Sequence, residues 1–158
     1  MLFLEFRPIT RGRLRRSRVS FWLLTLAALA LYAATALDYA FPGASATCIA
    51  WAAGLDVREV PSHPLLMWAA GHVVRLPWLS LPLRLNLMAA VAGALAVGWT
   101  FKVVWFVVFE AMREESAVTH ASRNARFAGW VAALAVGLSL PVWQAATRFQ
   151  PQIFDVAL

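Results

Sequence analysis

At 158 residues, 61% of them hydrophobic and only 14% charged, the chain is too apolar for a soluble domain, in which charged residues make up roughly a quarter. Its mean hydropathy of +0.67 points to an integral membrane protein. The net charge of +6 comes from arginine, densest at Arg7, Arg11, Arg13, Arg15, Arg16 and Arg18. Beside an apolar segment such a patch marks a cytoplasmic flank touching anionic lipid. Nucleic acid is not expected, because no basic fold module follows it. The single Cys48 excludes an internal disulfide and a cysteine metal cluster.

The chain opens on a basic head, residues 1–20, in which Pro8 and Gly12 are expected to interrupt any long helix. Phe21 to Ala40 then supplies about twenty residues with one late charge, enough to cross a hydrocarbon layer of about 30 Å. A signal peptide is the competing reading, since Ala34-Thr35-Ala36 resembles a cleavage site. The length of the basic head and two further apolar segments favour a membrane span. Trp22 and Tyr39 would mark its two interfaces.

Residues 41–82 form the expected outer cap. Ala44 to Gly54 is a run of small residues too short to span, with Gly54 placed to stop a helix. A polar turn follows, carrying Asp56, Arg58 and Glu59. Ser62 is the expected N-cap of a helix from His63 to Leu76, with Pro64 tolerated in its first turn. His72 and Arg75 share a face of that helix, whereas His63 lies about half a turn away from His72. A two-histidine metal site within it is therefore not expected.

Leu83 to Phe109 is the second span, long enough that its ends must project or tilt. Lys102, between Trp99 and Trp105, is expected to snorkel to the interface. Gly93 and Gly98 permit close helix contact without the four-residue spacing of the GxxxG motif. Glu110 to Arg126 reads as a solvated loop or helix. The third span is expected at residues 127–146, with Trp130 and Trp143 at its interfaces and Pro141 as a late kink. The arginines near the first span place the N-terminus and the Glu110 to Arg126 segment in the cytoplasm, and the cap outside.

No glycine-rich phosphate loop, nucleophile elbow or HExxH motif occurs. The acids available to the cap are Asp38, Asp56 and Glu59, any of which would serve as a general base if burial tuned it. These three are the candidate catalytic residues, although each alone reads more simply as an interfacial charge.

The phrases LDV, VPSHPLL, LRLNLMAAVAGALAV and WQAAT, in that order, resemble the N-terminal part of a bacterial family of polytopic membrane proteins placed near the protein O-mannosyltransferases. The resemblance implies a glycosyltransferase architecture of the GT-C type. Leu55, Val57, Pro61, Pro64 and Leu65 match the family's L-G-V-x-H-P-P-G-x-P-L phrase, and Arg84, Asn86 and Leu87 match its R-x-N-L. These positions belong to the scaffold. Where the family carries a D-S-G-E phrase, this chain has Ala44 for the aspartate and Thr47 for the glutamate. Glu59 and Val60 stand for a His-Pro pair, and Gln150-Pro151-Gln152 for E-V-Y. An acid in this first outer loop is implied to activate the acceptor or to bind the metal that holds a lipid-linked donor, and alanine does neither.

The expected architecture is thus all-α, with three transmembrane helices and a helical extracytoplasmic cap, in a bacterial cytoplasmic membrane. The resemblance implies an N-terminal fragment or inactive divergent copy of a glycosyltransferase that uses a polyprenyl-phosphate sugar, whose later spans would lie beyond Leu158. A non-catalytic scaffold or accessory subunit is the rival reading. No cofactor or metal is expected of this chain itself; a polyprenyl-phosphate sugar and a divalent cation would belong to the active transferase. The expected partners are membrane lipids, met at Arg11, Arg13, Arg15, Arg16 and Arg18, and further transmembrane helices.

Overall fold

The computed structural model describes residues 11–40, 44–55, 64–112 and 118–149, and every regular element among them is helical. In chain order they are α1 (Arg11–Thr35), α2 (Ala44–Ala52), α3 (Pro64–Val74), α4 (Leu81–Met112), α5 (Val118–Gly137) and α6 (Leu140–Thr147).

Helix α4 is the axis on which the others are hung. At 32 residues and about 1.5 Å each it runs about 48 Å, well beyond a hydrocarbon layer of about 30 Å. Its buried positions Ala89, Ala90, Gly93, Ala94, Val97, Phe101, Trp105 and Phe109 recur every three or four residues and form one stripe. The opposite face, with Val91, Leu95, Trp99, Val103 and Phe106, is exposed and equally apolar, as suits a lipid-facing surface. Helices α1 and α5 flank α4, and α6 lies against its first half.

Small residues set the helix spacing. A Cβ built on Gly93 would fall 2.5 Å from the Cβ of Ala146 in α6, and one on Gly98 would collide with the Thr25 hydroxyl of α1. Within lipid, where burial of apolar surface offers no drive for association, such close backbone approach supplies the packing energy.

Helix α1 begins ten residues earlier than the expected span. It runs through Gly12, so the second half of the basic head extends the membrane helix. One glycine in a sequence of helix-favouring arginines and leucines costs only about 1 kcal/mol. The apolar part, Ser17–Thr35, has 19 residues and spans about 28 Å.

The segment expected as one span at residues 127–146 is two helices bent by 63°, of which α5 begins at Val118. Arg123 and Arg126, expected in a solvated helix or loop, lie on α5. Pro141 does break the chain, as its position suggested, but the break is sharper than a kink. In a continuous helix residue 141 would donate to the carbonyl of Gly137, and proline has no N–H to give. The Tyr32 hydroxyl takes its place, donating to Gly137 O at 2.7 Å. The Ser139 hydroxyl similarly donates to Val136 O at 2.7 Å. Two helices, α1 and α4, are each long and apolar enough to cross a membrane; α5 and α6 reach that criterion only together.

Candidate functional site

At one end of the bundle α2, α3, the first turns of α4 and Phe149 enclose a second, smaller core of Ile49, Leu66, Met67, Ala70, Leu85 and Phe149. Each part is ended or joined by a definable interaction. Helix α2 closes as anticipated at Gly54, whose φ of +74° is the left-handed conformation that glycine adopts without strain. Gly54 N–H bonds to Trp51 O and Leu55 N–H to Ala50 O, both at 2.9 Å, which is the Schellman pattern. Helix α3 starts at Pro64, with His63 and its expected cap Ser62 outside the described residues.

Arg84 and Asn86, two of the R-x-N-L residues, fasten this end. The Arg84 guanidinium donates through Nη1 to Val74 O at 2.7 Å and also to Leu76 O, covering carbonyls left open where α3 ends. Asn86 is fully buried. Its Nδ2 donates to Leu37 O at 2.8 Å, and its Oδ1 accepts from Phe149 N–H at 2.7 Å. One side chain thus ties together the chain just after α1, the first turns of α4 and the chain just after α6.

Of the candidate catalytic acids, Asp38 alone lies among the described residues. Asp38 is exposed, shortly after α1, and its main-chain carbonyl accepts a 3.3 Å bond from the Ser80 hydroxyl. Asp56, Glu59 and Pro61 lie outside the described residues, and Ala44 is the first residue of α2. Thr47 is exposed on the same helix. His72 donates from Nδ1–H to Trp68 O at 2.8 Å and packs against the Trp68 ring, with centroids 4.5 Å apart. Among the described residues no three of His, Cys, Asp and Glu converge on a metal position. Burial pushes the Cys48 thiol above its ordinary pKa.

The loop from Arg75 to Ser80 carries the exposed side chains of Leu76, Trp78 and Leu79. Leu79 has a φ of +88°, a conformation that costs a non-glycine residue about 1–3 kcal/mol. Ser80 joins this loop to the chain beyond α1, at the level where the apolar part of α1 stops. Trp78 and Tyr39 are both exposed beside this junction.

At the opposite end Lys102 donates from Nζ to Ser17 Oγ at 2.6 Å and lies 5.7 Å from the Trp105 ring centroid. It thereby joins α4 to α1. Arg18 is exposed, and the side chains of Arg11, Arg13, Arg15 and Arg16 fall outside the described set. The roles of Tyr32 and Ser17 were not anticipated. A tyrosine deep in an apolar segment, paired with a proline in a later one, is the signal that marks the former.

These features describe an all-helical chain, with two helices long and apolar enough to cross a membrane, whose end cluster is fastened among the described residues by Arg84 and Asn86. The chain belongs to the family described as Protein O-mannosyl-transferase TMEM260 N-terminal domain, which matches residues 45–152. The match takes in α2 to α6, including Arg84 and Asn86. Neither curated proteins nor solved structures gave a match.

Proposed function

We propose that the chain is the N-terminal, membrane-embedded part of a GT-C-like transferase that moves mannose from a polyprenyl-phosphate donor, and that this part contributes scaffold and not the catalytic acid. Membership of an O-mannosyltransferase family over residues 45–152 supports the reaction class. The Arg84 and Asn86 fastening supports the scaffold role, because it holds three chain segments in one arrangement at the end where the cap lies. Ala44 and Thr47, at the positions where the resemblance implies acids, support the absence of acid chemistry there.

In this reading α5 and α6 make a third, broken crossing of a bacterial cytoplasmic membrane, the N-terminus is cytoplasmic and the end cluster faces outward. Further transmembrane helices, from a longer chain or a partner subunit, pack against the exposed faces of α1 and α4. A polyprenyl-phosphate mannose analogue carrying a photoreactive lipid tests the proposal in native membranes. Labelling of the chain that unlabelled polyprenyl-phosphate mannose suppresses, and polyprenol does not, is expected. Equal suppression by polyprenol would reduce the interaction to general lipid contact and remove the donor from the proposal.

The rival is a non-catalytic accessory subunit, which the same two replacements at positions 44 and 47 also favour. It predicts no competition by the phosphorylated donor.

A further inference from the structure

Charged residues bracket three apolar runs of the chain. Residues 19–37, 85–101 and 127–147 contain no Asp, Glu, Lys or Arg, and each run is closed on both sides by a charge: Arg18 and Asp38, Arg84 and Lys102, Arg126 and Arg148. At about 1.5 Å per residue the shortest, residues 85–101, extends about 26 Å, close to a hydrocarbon layer of about 30 Å. The Asn86 bridge brings one end of all three runs together, because Leu37, Asn86 and Phe149 stand within two residues of Asp38, Arg84 and Arg148. At the other end of the first two runs Lys102 bonds to Ser17, the neighbour of Arg18. The level of Asn86, with Asp38 and Arg84 beside it, is therefore one edge of the layer that these helices cross.

The loop joining α3 to α4 is pinned to that edge at both ends. Leu76 O accepts from the Arg84 guanidinium, and the Ser80 hydroxyl donates to Asp38 O at 3.3 Å. Between these bonds the side chains of Trp78 and Leu79 are 74% and 59% exposed, and that of Leu76 is half exposed. Residues 76–80 carry no charge, and Arg75 just before them is exposed. Three large apolar side chains grouped on one short loop call for a neighbour other than water.

Leu79 narrows the choice. Its φ of +88° is a conformation that glycine takes without strain and leucine does not. Most of its side chain is exposed, so packing within the chain does little to offset that strain. A leucine kept at such a position is explained when something outside the chain covers its side chain. At the edge of a hydrocarbon layer the covering material is the headgroup region of the lipid, which favours indole rings because one part of the ring is apolar and its N–H is polar. An exposed arginine at the start of the same loop suits anionic headgroups.

We propose that Leu76, Trp78 and Leu79 form an interfacial anchor, seated among the headgroups and first methylenes of the adjacent leaflet, with Arg75 at the level of the lipid phosphates. The anchor sets the height of the end cluster in the bilayer, since Arg84 and Asp38 couple the loop directly to α4 and to the chain beyond α1. It holds for either orientation of the chain and does not rest on the donor reaction proposed above.

The test is spin-label depth measurement on the full chain carrying Cys48→Ser, in nanodiscs of phosphatidylethanolamine and phosphatidylglycerol. Nitroxides are attached singly at Trp78→Cys and Leu79→Cys, with Val91→Cys on the exposed face of α4 as the reference inside the layer. Collision rates with oxygen and with a water-soluble nickel chelate give the depth. Both loop labels are expected within about 5 Å of the phosphates, shallower than the label at 91, with nickel collisions about threefold below those of a free nitroxide. Nickel collisions as frequent as those of the free label would place the loop in water, and exclusion of both reagents would place it against protein; either result overturns the proposal. Variants are compared at matched helicity by circular dichroism, and should one loop variant fail that criterion the other decides.

Discussion

Replacing Asn86 with alanine removes both bonds of the fastening at once. Phe149 N–H is buried with its residue, and a buried donor stripped of its acceptor costs about 1–3 kcal/mol. Leu37 is only partly buried and sits near the membrane boundary, where water or headgroups can reach its carbonyl, so its loss is set at about 1 kcal/mol. The expected destabilisation is therefore about 2–4 kcal/mol, against an average of about 0.6 kcal/mol for a single interhelical hydrogen bond in lipid. Unfolding in mixed micelles, followed by far-ultraviolet circular dichroism against the mole fraction of denaturing detergent, gives the total. Amide hydrogen exchange gives the location, with the Phe149 amide expected to lose protection while the Ala89 to Val97 amides of α4 keep theirs. A stability change below about 0.5 kcal/mol, within the range of an ordinary surface substitution, together with a still protected Phe149 amide, would show that the bridge carries no weight.

Tyr32→Phe removes the hydroxyl that serves the Gly137 carbonyl and should lower stability by about 1 kcal/mol; the same unfolding assay checks it, and an unchanged midpoint would mean that water already satisfies that carbonyl. Because burial raises the Cys48 pKa, its thiolate is scarcer at neutral pH than that of an exposed thiol. Its maleimide labelling should therefore be slower at pH 7 and should go on rising with pH after an exposed cysteine levels off, a difference abolished in denaturant. Once those rates are known, an impermeant thiol reagent on intact cells fixes the orientation. Cys48 should label and an introduced Ser116→Cys should not, the reverse pattern refuting the assignment of the N-terminus to the cytoplasm.

Composition and periodicity were sufficient for the helical class and for the positions of α1 and α4, because uninterrupted apolar runs admit little else in a membrane. Gly54 was legible for a local reason: a glycine after a run of small residues meets the left-handed requirement of a helix end. The start of α1 was not, since arginine and leucine favour helix strongly enough to carry it through Gly12 and blur the head into the span. The division of α5 from α6 was only half legible. Pro141 announces a missing N–H, but whether the freed carbonyl is served, and by what, depends on Tyr32, more than a hundred residues away. The Asn86 bridge was hidden for the same reason. A lone asparagine at the start of a span marks a polar anchor, and its two partners, Leu37 and Phe149, are main-chain groups that no side-chain pattern identifies. Of the candidate acids, Asp38 is exposed on the chain just after α1, and Asp56 and Glu59 fall outside the described residues.

The claim most open to direct trial is that this chain supplies scaffold to a mannosyltransferase and no chemistry of its own. Purified chain in lipid nanodiscs, given radiolabelled polyprenyl-phosphate mannose, a serine- and threonine-bearing peptide and a divalent cation, should form no mannosyl peptide above empty nanodiscs. Product formed by the chain alone, and abolished by Asp38→Ala, Asp56→Ala or Glu59→Ala, would contradict the account and place the catalytic acid within these residues.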